Sequence, residues 1–502
     1  MNKPTTLGEL KKQGYTYKSV KDELRSNLIT KIKKKENVFE GIIGYEDTVI
    51  PEIERAILSK HNINLLGLRG QAKTRIARQM VNLLDEYVPV VAGSEINDDP
   101  FQPISRFAVD LVAEKGDATP IEWLHRSDRY GEKLATPDVS VADLIGDVDP
   151  IKAATLKISY SDERVIHFGI IPRSNRSIFV INELPDLQPR IQVALFNILQ
   201  EGDIQIRGFK LRMPLDIQFV FTANPEDYTN RGSIVTPLKD RIGSQIITHY
   251  PKDVKTAMSI TQQEAKINAG QENITVPQLA QELLEQIGFE ARNSEYIDPK
   301  SGVSARLSIS AYENLISTAE RRILLSGEKE TTIRISDFAG VVPAITGKVE
   351  LVYEGEQEGA HIVAQNLIGK AIRTLLLQYF PSPEKLKKKG TPAKVDPYAT
   401  IAHWFADENV LDIMNNATQK EYWAALQNAD GLEDFVKQFY PKLNHEETLL
   451  YMEFVLHGLA EYSRLSKNEL VQGNRFKDLF SSFIDPNRFI ADDDEDGMEG
   501  LN

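Results

Sequence analysis

The sequence predicts an α/β fold, with a parallel, doubly wound sheet followed by helical regions. Three short apolar runs point to this fold: NINLLGL at 62–68, SIFVINEL at 177–184 and IQFVFTAN at 217–224. Apolar runs of this length are typical of strands buried on both faces of a parallel sheet. Stretches with helical spacing alternate with them between residues 39 and 250, which is the pattern of a doubly wound domain.

Composition narrows the possible classes of protein. The chain has 502 residues, 41% of them hydrophobic, which is enough for two or three globular domains. It contains no cysteine, which excludes disulfides and thiolate metal sites. The net charge of -14 disfavours general nucleic-acid binding. No apolar run is long enough for a membrane span, and the N-terminus lacks the apolar core of a signal peptide, so we expect a cytoplasmic protein.

Shifts in pattern divide the chain into six expected regions. They are a charged helical extension (1–38), the α/β core (39–250), a helical lid and extension (251–380), a Pro- and Lys-rich linker (381–397), an all-helical C-terminal domain (398–490) and an acidic, disordered tail (491–502). Within the core, residues 202–216 alternate in polarity around Arg207-Gly208, which predicts an inserted β-hairpin.

The loop after the first predicted strand has the composition of a phosphate-binding loop. Its candidate nucleotide-binding residues are Gly67, Arg69, Gly70, Gln71, Ala72, Lys73, Thr74 and Arg75. Backbone N–H groups of such a loop converge on phosphate, Lys73 neutralises phosphate charge, and the Thr74 hydroxyl ligates Mg²⁺. A methyl group is tolerated at Ala72 only if φ is negative, so we expect negative φ there. The alternative is an ordinary strand–helix turn with an incidental Lys-Thr pair.

The second strand ends in Asn182-Glu183, where a nucleotide hydrolase needs acidic residues. Glu183 is the candidate for polarising the attacking water, and Asn182 for contacting Mg²⁺ through its amide oxygen. An aspartate is expected where Asn182 stands. The missing charge predicts that ATP binding survives better than the rate of hydrolysis, since Coulomb energies at this range reach about a few kcal/mol.

Three further residues complete the candidate catalytic set. Asn224 ends the third strand, where it can orient water near the γ-phosphate. Arg241 follows a short helix and is a candidate arginine finger, or else a surface ion-pair residue beside Asp240. Arg306 begins a lid helix and either contacts the nucleotide or acts as an electrostatic cap of that helix. Arg231 is a second finger candidate.

Taken together, the motifs resemble the magnesium chelatase subunit I and MoxR branch of AAA+ ATPases, the helix-2-insert clade. The similarity covers about 39–350. GLRGQAKT resembles the Walker A motif, SIFVINEL the Walker B strand, TANPED sensor 1, PLKDRI the finger segment and SARLSISAYENL the sensor 2 helix. The resemblance implies a P-loop AAA+ core, ATP and Mg²⁺ as cofactors, and a ring, usually of six subunits, with ATP between neighbours.

Three functions remain open at this stage. The first is an ATP-hydrolysing, chaperone-like ring that remodels a protein partner bound through the C-terminal region. The second is an ATP-gated assembly module that hydrolyses little, which Asn182 favours. The third and weakest is a nucleic-acid motor that uses the basic residues of the predicted hairpin: Arg207, Lys210 and Arg212. The identity of the partner does not follow from the sequence.

Overall fold

The computed structural model describes residues 3–159, 162–206, 212–225, 233–383, 396–470 and 472–479. The chain divides into two compact units, Met1–Tyr250 and Pro251–Asn502. The predicted finger candidate Arg231, the hairpin residues Arg207 and Lys210, most of the predicted linker and the whole acidic tail lie outside the described residues.

The first unit contains a five-stranded parallel sheet together with helices and smaller two-stranded pairs. Its strands are β1 (Ile63–Leu66), β2 (Tyr87–Val91), β3 (Ile121–His125), β4 (Tyr130–Leu134), β5 (Gly146–Val148), β6 (Ile166–Phe168), β7 (Ser177–Asn182), β8 (Asp203–Gln205), β9 (Arg212–Pro214), β10 (Ile217–Ala223) and β11 (Ser244–Ile247). Its helices are α1 (Leu7–Lys12), α2 (Val20–Lys34), α3 (Val49–Leu58), α4 (Lys73–Gln79), α5 (Arg106–Lys115), α6 (Val141–Leu144), α7 (Pro150–Leu156), α8 (Ile170–Arg173), α9 (Pro189–Ala194), α10 (Phe196–Glu201) and α11 (Thr236–Arg241).

The five-stranded sheet has the order β11-β1-β10-β7-β4, and every neighbouring pair is parallel. The three strands predicted from the sequence are β1, β7 and β10. Every residue of β7 and β10 is buried. Ile178 and Val180 point into one hydrophobic core, whereas Phe179 and Ile181 point into the other. Because adjacent side chains of a strand face opposite ways, an uninterrupted apolar run is what a sheet covered on both faces requires.

The antiparallel pair β8–β9 confirms the two strands of the predicted hairpin, with Gln205 opposite Arg212. The pairs β2–β3 and β5–β6 are also antiparallel. None of these six strands belongs to the five-stranded sheet.

The N-terminal helix α2 contributes to the core of the first unit. Its residues Val20, Leu24 and Leu28 are buried with residues of the sheet. Glu23, on the same helix, accepts two hydrogen bonds of 2.7 Å from the guanidinium of Arg129, and both side chains are almost fully buried. A buried pair with this two-bond geometry is costly to break, since either partner alone would be an uncompensated charge.

The second unit is largely helical around one hydrophobic core. Its helices are α12 (Val254–Glu264), α13 (Gln278–Arg292), α14 (Arg306–Ser326), α15 (Val342–Thr346), α16 (Tyr353–Glu358), α17 (Ala360–Tyr379), α18 (Ala399–Ala406), α19 (Gln419–Gln427), α20 (Leu432–Phe439) and α21 (His445–Glu461). Its strands are β12 (Ile274–Thr275), β13 (Thr331–Thr332), β14 (Leu411–Met414), β15 (Leu465–Leu470) and β16 (Gly473–Asp478).

The C-terminal region is helical as predicted, but it is not all-helical. Strands β14, β16 and β15 form an antiparallel sheet in that order. Only a few of their side chains are buried, among them Leu465 and Phe476. A sheet with so little apolar alternation gives a weak strand signal, which is the physical reason for the incomplete prediction. In the described residues of both units, no helix is long and apolar enough to cross a membrane.

Candidate nucleotide site

The predicted phosphate-binding loop joins β1 to α4. It begins at Gly67, whose N–H donates to the carbonyl oxygen of Ala223 on the neighbouring strand β10, at 3.1 Å. A Cβ atom at Gly67 would overlap the Thr248 hydroxyl and the side-chain oxygen of Gln71. These two groups are themselves hydrogen-bonded at 2.6 Å. Glycine is therefore required for the close approach of the loop to the residue after β11.

Ala72 corrects one expectation from the sequence. Its φ is 57° and its ψ is 13°, so it adopts the left-handed conformation rather than the expected negative φ. Gly70 has a φ of 72° and adopts positive φ without the steric cost of a Cβ. For alanine this conformation costs about 1–2 kcal/mol. The loop therefore holds Ala72 in a strained conformation immediately before Lys73, the first residue of α4.

Two tyrosine hydroxyls hold the backbone carbonyls of the loop. The Tyr45 hydroxyl lies 3.1 Å from the carbonyl oxygen of Gln71 and 2.7 Å from that of His249, and its single proton is shared between these two acceptors. The Tyr250 hydroxyl donates to the carbonyl oxygen of Arg69 at 3.0 Å. Burial raises the pKa of Tyr45 to about 12, so this hydroxyl stays protonated at neutral pH. These bonds fix the orientation of the peptide planes in the loop.

Lys73 connects the loop to the end of β10. Its ammonium donates to the carbonyl oxygens of Gly67 and Leu68, the latter at 2.9 Å, and to Asn224 Oδ1 at 2.8 Å. The structure thus brings together two residues that lie 151 positions apart in the sequence. An ammonium and an amide at the carboxyl ends of adjacent parallel strands occupy the place where α/β proteins bind their ligands.

The other candidate residues of the loop differ in accessibility. Thr74 and Arg75 are half-buried on α4, and Arg69 is exposed. Gln71 is buried, and its side chain is bonded to Thr248 inside the protein. The side chain of Gln71 therefore supports the loop from inside the protein.

The amide of Asn182 is hydrogen-bonded at both of its atoms. Its Nδ2 donates to Glu132 Oε1 on β4 at 2.6 Å, and its Oδ1 accepts from the Thr222 hydroxyl on β10 at 3.0 Å. Only 9% of Asn182 is exposed. An ionised carboxylate can only accept hydrogen bonds, so Glu132 determines which end of the amide faces it. Sequence reasoning missed both Glu132 and Thr222.

Glu183 has a strained backbone. Its φ of 54° and ψ of 48° are left-handed, which is uncommon for a residue other than glycine. Its N–H donates to the Thr222 hydroxyl at 3.2 Å. Strain of this kind persists only where surrounding contacts impose it, and it is concentrated at functional sites. Thr222 therefore joins both residues of the Asn182-Glu183 pair through one hydroxyl.

The two described arginine candidates lie in different units. Arg241 is the last residue of α11, where it donates to Gln200 Oε1 at 3.0 Å and lies over the Phe196 ring at 5.0 Å. Arg306 is exposed and begins α14 in the second unit. A cation at a helix N-terminus faces the positive end of the helix dipole, so Arg306 is not a favourable electrostatic cap. The two alternatives from the sequence, a contact with the nucleotide and an electrostatic cap, both stay predictions.

The residues at this edge offer oxygen ligands for a Mg²⁺ ion that is also bound by substrate phosphates, but they do not form a complete metal site by themselves. Thr74, Asn182 and Glu183 offer oxygen donors, which is the type of ligand that Mg²⁺ takes. Among the described residues, however, no group of three or more His, Cys, Asp or Glu side chains is arranged to hold a metal. Mg²⁺ binds commonly through one or two protein ligands together with substrate phosphates, and the donor set here fits that mode.

No protein-family model matches the sequence, and no curated protein is significantly similar to it. Several solved structures are similar at low levels. A protein from Cytophaga hutchinsonii described as a candidate ATPase shares 16% identity, with 72% of this chain and 97% of that chain covered and a TM-score of 0.28. The complex of the BchI and BchD subunits of magnesium chelatase gives 19% identity, 64% and 98% coverage and a TM-score of 0.34. Hsp104 with ATPγS and casein gives 13% identity, 62% and 50% coverage and a TM-score of 0.35.

At these identities and TM-scores the similarities do not establish an activity. The fold follows from the chain itself: the predicted phosphate-binding loop joins β1 to α4, and β1 lies between β10 and β11 in a parallel sheet. The ends of β1, β7 and β10 carry this loop, Asn182-Glu183 and Asn224. The first unit is therefore an α/β domain built on a five-stranded parallel sheet, as the sequence predicts.

Proposed function

We propose that the chain is an ATP-binding and ATP-hydrolysing AAA+ ATPase of the chelatase subunit I and MoxR branch. The observation that supports this most is the convergence of Lys73, the strained loop at Ala72 and Asn224 at one edge of the sheet. The loop with Lys73 and the strand end with Asn224 come from parts of the sequence that lie 151 positions apart, and their contact supports the proposal. The cytoplasmic location predicted from the sequence belongs to the same proposal.

In this function Lys73 exchanges its contacts with the loop carbonyls and Asn224 for contacts with the phosphates. Asn224 then orients a water molecule toward the γ-phosphate, and Glu183 accepts a proton from that water as its oxygen bonds to the γ-phosphorus. The bond between the γ-phosphorus and the bridging oxygen breaks, and ADP leaves with that oxygen. When bound, Mg²⁺ neutralises charge on the phosphate oxygens. Thr74 and Asn182 are the residues proposed to hold it.

Two pairs of variants test the proposal. Lys73→Ala is expected to weaken ATP binding, because it removes the cation from the loop. Glu183→Gln is expected to keep binding and to lose turnover, because the amide cannot accept the proton. The matched controls are Lys152→Ala and Glu95→Gln, which remove an exposed ion pair of 2.8 Å in the same unit. Binding of a fluorescent ATP analogue and release of phosphate are measured. ATP binding by Lys73→Ala equal to that of its control would refute the proposal.

The proposed assembly is a ring, with Arg241 acting on the ATP of a neighbouring subunit. Arg241 ends α11 and is held by Gln200 and Phe196, so its position is defined within its own subunit. Arg241→Ala is then expected to lower turnover without lowering ATP affinity. When Arg241→Ala chains are mixed with unmodified chains, ATP turnover is expected to fall by more than the fraction of variant chains. A loss of turnover proportional to that fraction would argue against a finger that acts between subunits. Arg306 of the second unit remains the proposed sensor 2 residue.

The proposed work of the ring is to remodel a protein partner that docks on the C-terminal region. A Glu183→Gln chain with ATP is the suitable trap for that partner, because a bound and uncleaved nucleotide holds the complex together. The trap should capture the partner in ATP and release it in ADP. Equal capture of the partner in ATP and in ADP would argue against remodelling.

The second candidate function is an ATP-gated assembly module with little hydrolysis. The observation in its favour is Asn182, which brings no charge of its own and whose amide is already bonded to Glu132 and Thr222. This function predicts ATP-dependent assembly of the unmodified chain with turnover near background. Turnover that falls at least about ten-fold in Glu183→Gln would favour the remodelling enzyme instead.

The nucleic-acid motor remains the weakest of the three functions. Of its predicted basic residues only Arg212 is described, and its side chain lies 3.6 Å from that of Asp203 on the paired strand. An acidic partner reduces the charge available for phosphate contacts. Absence of a mobility shift with DNA or RNA at low salt would remove this function.

A further inference from the structure

Glu132 is an acidic residue at the candidate site that lies on the edge strand β4. It is half-buried, and both of its carboxylate oxygens are engaged. Oε1 accepts from Asn182 Nδ2 at 2.6 Å. Oε2 accepts from Arg78 Nε at 3.0 Å and from the Tyr130 hydroxyl at 3.0 Å. A carboxylate is thus in direct contact with the one position of the site where an acid was expected and an amide stands.

The partners of Glu132 place it beside the proposed metal ligands. Arg78 lies on α4 four residues after Thr74, so the two side chains share one face of that helix. Asn182 is the last residue of β7, which pairs with β4. Glu132 therefore bridges the helix face that carries Thr74 and the strand end that carries Asn182, and these are the two residues proposed to hold Mg²⁺.

We propose that Glu132 supplies, through Asn182, the negative charge that position 182 lacks. The carboxylate is on β4 and the amide is on the neighbouring strand β7. This inference rests on the proposed function and makes Glu132 a positioning residue of the metal site.

The chemistry follows from the hydrogen bond between the two side chains. A carboxylate that accepts from Nδ2 draws positive charge to that end of the amide and leaves Oδ1 more negative. It also fixes Oδ1 on the side away from Glu132, because an ionised carboxylate does not donate. Carboxylates that accept from metal ligands raise the basicity of those ligands and orient them, and their loss typically costs about 10–100-fold in metal affinity or activity.

One consequence concerns aspartate at position 182. Asn182→Asp alone would place a second carboxylate against the Glu132 carboxylate, in the position of an amide that now lies 2.6 Å from it. Like charges at that distance repel strongly. An acid at 182 is therefore compatible with the site only when residue 132 is an amide, and the double variant Glu132→Gln/Asn182→Asp restores one acid and one amide.

The test compares the unmodified chain with Glu132→Gln, Asn182→Asp and the double variant, and Glu95→Gln serves as the charge-matched control. The affinity of a fluorescent ATP analogue is measured in Mg²⁺ and again in EDTA, and the ratio of the two affinities is the readout. Glu132→Gln is expected to lower this ratio about ten-fold while the affinity in EDTA stays within about two-fold. The double variant is expected to recover the ratio to within about three-fold of the unmodified chain.

The inference is overturned if the ratio of the affinities in Mg²⁺ and in EDTA is the same in Glu132→Gln as in the unmodified chain. It is also overturned if this ratio is lower in the double variant than in both single variants. If circular dichroism shows that Glu132→Gln does not fold, the same ratio of affinities is measured in Arg78→Gln instead. The side chain of Arg78 is 64% exposed, and its removal leaves the charge of Glu132 less neutralised, so the ratio is expected to rise. An unchanged or lower ratio refutes the inference. Failure of the unmodified chain to bind the analogue in either buffer refutes the proposed function itself.

Discussion

Thr222→Val tests whether one hydroxyl holds the Asn182-Glu183 pair. Valine has nearly the shape of threonine, and Thr222 is 3% exposed, so the substitution changes hydrogen bonding far more than packing. The hydroxyl donates to Asn182 Oδ1 at 3.0 Å and accepts from Glu183 N–H at 3.2 Å. Valine leaves both groups without this partner. A buried polar group that loses its partner costs about 1–3 kcal/mol, so we expect a total of about 2–6 kcal/mol for the two groups.

The loss of stability around Thr222 is best measured locally, because a chain of two units does not unfold in a single two-state transition. Hydrogen exchange of the peptide that contains Glu183 reports on its N–H. A local loss of about 2 kcal/mol speeds that exchange about 30-fold. Turnover of ATP is expected to fall as well, since the backbone of Glu183 is free to leave its left-handed conformation and move the carboxylate. Thr222→Ser keeps the hydroxyl and is the matched control.

Two outcomes would refute this reasoning. Equal exchange rates at Glu183 in the valine and serine variants would mean that the hydroxyl does not hold the backbone. Normal turnover in the valine variant, despite faster exchange, would mean that the conformation of Glu183 is not important for hydrolysis.

Three further predictions follow from the same structure. Ala72→Gly is expected to stabilise the loop by about 1 kcal/mol, because glycine adopts positive φ without the strain of alanine; a lower melting temperature than that of the parent would contradict this. Tyr45→Phe is expected to weaken binding of an ATP analogue about five-fold, since the loop loses a hydrogen bond worth about 1 kcal/mol; unchanged affinity would show that the loop does not need it. Arg129→Met is expected to destabilise the first unit by about 3–5 kcal/mol, because it leaves Glu23 buried without its cation; hydrogen exchange of the peptide that contains α2 measures the change, and a loss below about 1 kcal/mol would be inconsistent with a buried pair.

The sequence predicted the central strands and the loop because their signals are local. The apolar runs of β7 and β10 and the glycine-bearing loop can each be recognised within a few residues. Strand β4 gave no such signal. It carries Glu132 and Lys133, its residues are half-buried or exposed, and it lies at the edge of the sheet. An edge strand does not need to be apolar on both faces, so an uninterrupted apolar run is not found there.

Two features of the candidate site depend on contacts distant in sequence. The hydrogen bond between Glu132 and Asn182 joins residues 50 positions apart, and that between Thr222 and Asn182 joins residues 40 positions apart. No spacing rule relates such pairs. The left-handed backbone of Ala72 was predicted wrongly for a similar reason. Local sterics favour negative φ, but the contacts of the loop with Tyr45 and Thr248 impose the other conformation.

The buried pair of Glu23 and Arg129 has a consequence for Glu132, which lies on the strand that follows Arg129. Arg129 immediately precedes β4, and Glu132 lies only three residues further along the same chain segment. Because β4 pairs with β7 from Tyr130 onward, we expect a shift of Arg129 to disturb the start of this pairing and with it the position of Glu132. Helix α2, whose Glu23 lies 106 positions earlier in the chain than Arg129, is thus expected to influence where the acid stands relative to Asn182. A chain shortened to begin after α2 would keep every motif of the nucleotide site and still have a misaligned one.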